Sequence, residues 1–339
     1  MTKPATPKNL PSLRAAAIEI DGTVTRPLRF TGGVGEALLA ATREAMLKRG
    51  CLRDRAHKGQ CLNCALLPRC AVWPLIAPSD PTRRQRGVFV RPWVPRLPDL
   101  PSIVPVGERV TFGLTVVQDG TFPALWGAFA AAFVGAARQL EEWGFGDLVT
   151  TPGGPARRGV LSVGRVRWLN PVTGETQPFV YTEDAPMPPP FWFEGQQPAA
   201  RSPQPAGGAD DDMGHLRVAF LTPTRLVAGD AVLRSPECGT LVRRITERLE
   251  AVCAGSQVAP PADLDAVAAV AAAGRLQIAA DETRWEGGDK RGGLRGTVAY
   301  TGAAYDLAAV LPALRWGQVL GVGKGAQNGA GRMEVAGSR

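Results

Sequence analysis

Four cysteines crowd into residues 51–70 as Cys51, Cys61, Cys64 and Cys70, with the spacing C-x9-C-x2-C-x5-C. Four thiolates suit a tetrahedral zinc ion that would pin a loop with little core of its own; such a closed site is structural, not catalytic. An iron–sulfur cluster is the other metal reading, and free thiols the plain one. Cys238 and Cys253 lie far away on an expected helix, where core packing accounts for them. His57 falls inside the cysteine run, beside Arg53, Arg55 and Lys58. An imidazole titrates near neutrality and could move a proton at a phosphate; a further metal ligand or a solvated loop residue are its alternatives. The one other histidine, His215, opens an expected strand and reads as a strand-edge residue.

Two further stretches have the chemistry of polyanion binding. In "TRRQRGVFVRPWVPR", residues 82–96, Arg83, Arg84, Arg86, Arg91 and Arg96 alternate with Phe89 and Trp93. Guanidiniums can hold phosphates while aromatic rings stack on unpaired bases; the bland alternative is a strand with a basic edge. In "GVGKGAQNGAGRMEV", residues 321–335, Gly321, Gly323, Gly325, Gly329 and Gly331 surround Lys324 and precede Arg332. Glycine costs about 1 kcal/mol inside a regular element, so the cluster marks slack chain or a place where backbone fits closely against something. A Walker loop needs glycine at 318 and a hydroxyl at 325, where Gln318 and Gly325 stand. The dinucleotide pattern G-x-G-x-x-G should follow a strand and open a helix; here a helix is expected before and a strand after. What survives is a glycine hairpin whose amides, with Lys324 and Arg332, could approach phosphates. Arg291 and Arg295, flanking Gly292-Gly293, could face the same ligand.

The elements that must position these residues repeat in order. At 339 residues with 45% hydrophobic side chains, the chain can fill two cores. "LRAAAIEIDGTV" reads as a strand; Val34, Leu38, Ala41 and Ala45 recur at helical spacing up to Gly50. The Cys-rich insertion follows, then strands near "RGVFVRPWV" and "ERVTFGLTVV". Leu125, Phe129, Phe133, Ala136 and Leu140 form one helical stripe ending at Gly144, and "GVLSVGRVRWL" returns to strand. Residues 184–213, dense in proline and glycine, read as a linker or long loop. Beyond it, "LRVAFLTP" is a strand, and Ser235-Pro236-Glu237 caps a helix carrying Leu241, Ile245, Leu249 and Val252. A short Ala-rich helix over 262–273, strands "RLQIAADETRW" and "GGLRGTVAY", a helix near 303–316, the glycine loop and "GRMEV" complete the set.

Each half is thus β-α-β-β-α-β, which predicts an α+β protein of two tandem ferredoxin-like (RRM-like) domains, 1–183 and 214–339, with the Cys-rich insertion at 51–70 in the first. The net charge of +8 sits entirely in residues 1–100, where 17 Lys/Arg face 7 Asp/Glu; the rest holds 22 against 24. Such asymmetry points to a polyanion, although solubility and an arginine-rich composition (33 Arg, 6 Lys) would also produce it. Prolines near the N-terminus stand where a signal peptide needs an apolar run, and Phe122–Ala137 is too short to span a bilayer. The expectation is a cytoplasmic protein with no membrane partner.

Taken together, these pieces resemble the CRISPR-associated endoribonucleases that process precursor crRNA, members of the repeat-associated mysterious protein (RAMP) superfamily. The glycine loop carries the resemblance most specifically. It extends through "GGLRGTVAYTG" and "LRVAFLTPTRL" to "FTGGVGEALLAATREAMLKRGC", similar to the family's first helix, and to "CLNCALLPRC", similar to its cysteine cluster. The resemblance implies binding of CRISPR repeat RNA and metal-independent cleavage, with no cofactor beyond a structural zinc. In that chemistry the 2′-hydroxyl attacks the adjacent phosphorus, the 5′-oxygen leaves and a 2′,3′-cyclic phosphate remains; the protein supplies a base, an acid and positive charge. A family histidine tends to lie near the first helix, but this helix carries Arg43, Glu44, Lys48 and Arg49 instead. His57 is therefore the histidine candidate, and Lys48, Tyr181, Tyr300 and Tyr305 stay open as replacements. A non-catalytic guide-RNA-binding subunit of a CRISPR effector complex is the alternative, and a zinc-stabilised duplex-DNA binder a third.

Overall fold

The computed structural model describes residues 11–31, 34–51, 64–65, 70, 72, 84–85, 88–89, 93–98, 100–118, 125–149, 154–182, 185–186, 193, 213–288, 292–326 and 329–337. The first half contains β1 (Ala15–Arg26), α1 (Val34–Gly50), β2 (Trp93–Arg96), β3 (Arg109–Val117), α2 (Leu125–Trp143), β4 (Phe145–Val149), β5 (Arg157–Leu169) and β6 (Thr176–Pro178). These strands form an antiparallel sheet ordered β6-β5-β1-β3-β2, with β4 paired to β5. The path β5-β1-β3-β2 is the ferredoxin-like order. Edge strand β2 tolerates Pro95, opposite Leu114, because a proline on an edge need not donate to a second neighbour.

Register decides which face is which. Ile18 sits opposite Leu114 and Ile20 opposite Phe112, and these side chains pack under Phe129 and Phe133 of α2. The Phe112 and Phe133 rings meet edge-on, centroids 6.3 Å apart. The alternate residues Ala15, Val94 and Val117 belong to the other core, shared with the second half. Both faces are therefore covered, which explains why "AAAIEI" is an almost continuous apolar run with every residue buried.

The second half contains β7 (Met213–Thr224), α3 (Cys238–Ser256), α4 (Ala266–Ala273), β8 (Gln277–Asp281), β9 (Arg284–Glu286), β10 (Gly293–Ala303), α5 (Ala304–Leu320) and β11 (Met333–Gly337). Its sheet runs β8-β10-β7-β11, again antiparallel and ferredoxin-like, with β9 on the far end of β10. Helices α3 and α5 cover one face. Leu241, Ile245, Leu249 and Val252 are all buried, as their spacing predicts. Ser235 does not cap α3: no side chain caps that helix, and the Ser235 hydroxyl donates to Asp281 instead (3.1 Å). A lost cap costs about 1 kcal/mol, whereas each buried aliphatic side chain contributes roughly 1.5–3 kcal/mol, so packing sets the helix.

The expected single strand "RLQIAADETRW" is two. Asp281 accepts from the Thr283 amide at 2.9 Å, a local turn that breaks β8 from β9. Gly296, at φ +118, lets the turn cross β10: a Cβ there would lie 2.5 Å from the Glu282 carbonyl oxygen. Likewise, the strand expected near "RGVFVRPWV" begins at Trp93, while Val88–Phe89 pairs separately with Arg84–Gln85. Between the halves, Phe193 exchanges two backbone hydrogen bonds with Ala15, and its ring lies 4.8 Å from that of Trp316. Gln318 of α5 donates to the Pro171 carbonyl (3.2 Å). No helix among the described residues is long and apolar enough to cross a membrane.

Candidate nucleic-acid interface

The glycine loop begins where α5 ends, and its bare backbone fits against the protein itself. All five glycines have positive φ. A Cβ on Gly331 would stand 1.8 Å from the Val322 carbonyl oxygen, and one on Gly323 2.5 Å from that of Arg225. The amides are put to internal use: Val322 donates to Gly331, Lys324 to Arg225, Gly331 to Pro223, and Arg332 to the Thr222 hydroxyl (2.9 Å). The expectation of a run of bare amides open to phosphate is therefore corrected. Gly321, Gly329 and Gly331 are buried and shape the loop, because only glycine permits these dihedrals and contacts. Its outer rim is Gly323, exposed Lys324 and Gly325. Among the described residues, the Gly323 and Gly325 amides make no hydrogen bond, leaving two donors beside an ammonium.

Sheet register extends this rim into a row of positive charge. Arg225, just after β7, forms a bridge with Lys324. One residue back, Thr224 lies opposite Leu294; Arg295 follows, directly opposite Arg284 of β9. Four cations thus cross four adjacent chain segments, spanning roughly 15 Å at ordinary strand spacing. Arg284 and Arg295 share a face as a cross-strand pair of like charge, an arrangement that destabilises a sheet unless an anion answers it. Glu286 reaches Arg295 at 3.2 Å, at a site about 40% exposed where an ion pair is weak. Beside Arg284, the Trp285 ring carries the Arg234 guanidinium 3.8 Å from its centroid. Arg225, Arg234 and Arg284 were not singled out in the sequence, because which residues of β7, β9 and β10 stand opposite one another is not written in any one of them.

Where the halves meet, Glu19 and Arg96 are buried, and the charges around them are paired. Arg96 Nη2 lies 3.4 Å from Glu19 and Arg167 Nη2 3.0 Å from the same carboxylate, while Arg167 also pairs with Asp21. Burial pulls the Arg96 guanidinium down to about 10; neighbouring Arg332 acts in the same sense, and Glu19 opposes both. Burial works to raise the Asp21 carboxyl, but hydrogen bonds from Arg167 and Thr111 outweigh it and hold the group below its ordinary value.

The remaining sequence candidates scatter. Trp93 is 2% exposed and lies 6.5 Å from the Phe129 ring, so it fills the first core and offers no face to a base, correcting that expectation. Tyr300 is buried, its hydroxyl donating to the Pro236 carbonyl, and burial drives its pKa upward, which removes it as a proton carrier. Lys48 is engaged by Glu44 (3.0 Å) and by the Trp143 ring (4.2 Å) at the end of α1. His215 is exposed on β7 opposite Thr301, and Tyr305 is 67% exposed at the start of α5. Of the cysteine cluster, Cys51 is exposed just after α1, Cys64 and Cys70 are half-buried, and none of the three is in a disulfide. Cys238 and Cys253 are buried, as expected. His57, Cys61, Arg83, Arg86, Arg91 and Arg291 lie outside the described residues, and of Arg84 and Tyr181 the backbone alone is described.

Comparisons with known proteins bear on the second half most directly. The family model for CRISPR-associated endoribonuclease Cas6 matches residues 218–333. No curated protein sequence matches the chain. Among solved structures, a chain of a partial Cas6-RT-Cas1–Cas2 complex is similar over 97% of this chain and 47% of its own, at 13% identity and a TM-score of 0.54. A chain of a Cas6-RT-Cas1–Cas2 complex gives the same score and identity over 29% of its length. Cas6 of Thermus thermophilus is similar over 96% of this chain and 99% of its own, at 14% identity and a TM-score of 0.44. The chain therefore spans less than half of the first two proteins, and at such identity the likeness shows the fold.

Proposed function

We propose, from the premise that the second half of this chain belongs to the CRISPR-associated endoribonuclease Cas6 family, that the protein binds CRISPR repeat RNA and cleaves precursor crRNA. The observation that carries the reading is the placement of the matched segment. It opens in β7, closes at Met333, and so encloses Arg225, Arg284, Arg295 and the glycine loop with Lys324. The row supplies phosphate contacts that neutralise backbone charge, and the Gly323 and Gly325 amides beside Lys324 supply donors for one crowded phosphate. Cleavage would proceed by attack of a 2′-hydroxyl on the adjacent phosphorus with departure of the 5′-oxygen, needing no metal. His57, Tyr181 and Tyr305 are the proton-transfer candidates that stay available, while Lys48 would first have to leave Glu44 and Trp143. Cys51, Cys61, Cys64 and Cys70 would hold a structural zinc that takes no part in that chemistry. Other CRISPR proteins are partners by the same reading, since similar chains occur in Cas6-RT-Cas1–Cas2 complexes.

One observation favours a second reading, a non-catalytic guide-RNA-binding subunit: α1 has no histidine, and its Lys48 is already engaged by Glu44 and Trp143. The test incubates the purified chain in EDTA with labelled repeat RNA and with the same RNA carrying a 2′-deoxy sugar at the cut site. Cleavage of the first alone, leaving a cyclic phosphate, establishes the enzyme. Tight binding without cleavage establishes the subunit, and binding of neither RNA overturns both.

A further inference from the structure

We propose that strand β2 of the first half, through Leu97 just beyond its end and Arg96 at its end, is the positioning element for the glycine loop. Between Gly321 and Arg332 the described residues larger than alanine are Val322 and Lys324, so among the described residues of the loop there is little side chain to hold its shape. Leu97 supplies what is lacking. It is 6% exposed, and a Cβ built on Gly329 would fall 2.7, 3.0 and 3.3 Å from its Cδ1, Cγ and Cβ atoms: the leucine lies flat against that α-carbon. From there Gly329 links inward, its amide donating to Ala326, which is fully buried.

The preceding residue acts on the other end of the loop. Arg96 is buried and tethered to Glu19, and its Nε has no hydrogen-bond partner among the described residues. The Arg332 guanidinium repels it, and the Arg332 backbone is pinned by Thr222. Repulsion between the two guanidiniums disfavours an Arg332 head turned toward Arg96, while Glu19 and Glu334 favour the charge on Arg96. Two consecutive residues of the first half therefore bear on the two ends of the loop, Leu97 by packing against Gly329 and Arg96 by charge beside Arg332. The consequence for RNA affinity rests on the RNA-binding reading above; the consequence for loop order does not.

Amide hydrogen exchange on the full chain tests the claim without RNA. Leu97→Ala should speed exchange at Val322, Lys324, Gly331 and Arg332 by about tenfold or more, with the β1–β5 ladder at Ile18 and Ile20 unchanged. Gly329→Ala should do the same. The double variant should lie closer to wild type than Gly329→Ala alone, in exchange and in repeat-RNA affinity, because removing Leu97 relieves the clash while the φ +90 strain stays. Replacing Glu19 and Arg96 together by glutamine, so that neither charge is left buried alone, should weaken RNA binding about threefold with an unchanged salt slope. Strictly additive single and double variants, or loop exchange indifferent to Leu97→Ala, overturn the proposal. So does a salt slope lowered by about 0.7 in the Glu19/Arg96 variant, which would make Arg96 a phosphate contact itself. If wild type binds no RNA, the exchange results still decide the positioning claim, and it is the RNA-binding reading that falls.

Discussion

Two sheets of the same strand order put their helix-free faces to opposite uses. In the first sheet that face is covered by the second half: Glu19 and Arg96 are buried and paired there, and Arg167 and Asp21 extend the pairing toward solvent. In the second sheet Arg217, Arg284 and Arg295 stay in contact with solvent and end beside the exposed Lys324. The difference teaches that a fold's topology assigns no function to a face. What decides is how deeply its charges are buried: Glu19 and Arg96 are almost wholly enclosed, whereas the Arg295–Glu286 pair stays about 40% exposed, where water or a ligand can compete for it.

The sharpest way to break this comparison is to remove one carboxylate from each sheet. Glu19→Ala strands Arg96 in a buried site, while Arg167 keeps Asp21, and should cost roughly 3–5 kcal/mol in urea unfolding, whereas Glu286→Ala, at a half-exposed pair, should stay within about 1 kcal/mol. Equal losses would erase the distinction. Glycines offer a second contrast. Gly331→Ala meets the Val322 carbonyl at 1.8 Å as well as φ +68, and should cost more than about 3 kcal/mol; Gly107→Ala has φ +88 but nothing within 4 Å, so strain alone, about 1–2 kcal/mol, is expected.

On the exposed face the readout is RNA. Arg284→Ala with Arg295→Ala, and separately Lys324→Ala with Arg332→Ala, should each weaken repeat-RNA binding about tenfold and lower the salt slope by about 1.4, two contacts at 0.7 for a single strand. An unchanged slope removes that pair from the interface. The smallest effect is on alkaline stability. Burial pushes the Cys238 and Cys253 thiols up to about 12, and raises Tyr300 too, so the folded state keeps protons the unfolded chain releases above pH 9. Stability should be intact below pH 9 and decline as pH rises from 9 toward 12. Cys238→Ala with Cys253→Ala should move the onset of that decline toward pH 10, where Tyr300 takes over. Finally, Cys61→Ser with Cys64→Ser should abolish any bound zinc, as elemental analysis of the purified chain would show; zinc retained in full would exclude the cysteine cluster as its site.

Much of the architecture is legible locally. The stripes Leu125–Leu140 and Leu241–Val252 each read as one buried helix face because a 3.6-residue period is a property of neighbours in sequence. The glycine pattern also announced close backbone approach. What the approach was to stayed hidden: a cluster of glycines near Lys324 reads the same whether phosphate or the Arg225 carbonyl lies opposite. Trp93 misled for a similar reason, since alternation of arginine with aromatics fits an RNA-binding edge and a half-buried strand equally well.

By itself, then, the amino-acid order determined the elements, their sequence and the conformational demands of five glycines, because periodicity, turn chemistry and φ preferences act over a few residues. Only the tertiary structure decided that Glu19 meets Arg96, that Arg284 stands opposite Arg295, and that Leu97 closes on Gly329. Those partners are from about ten to more than two hundred residues apart, and nothing short of strand register and the packing of two sheets determines which charges are buried together and which stay in contact with solvent.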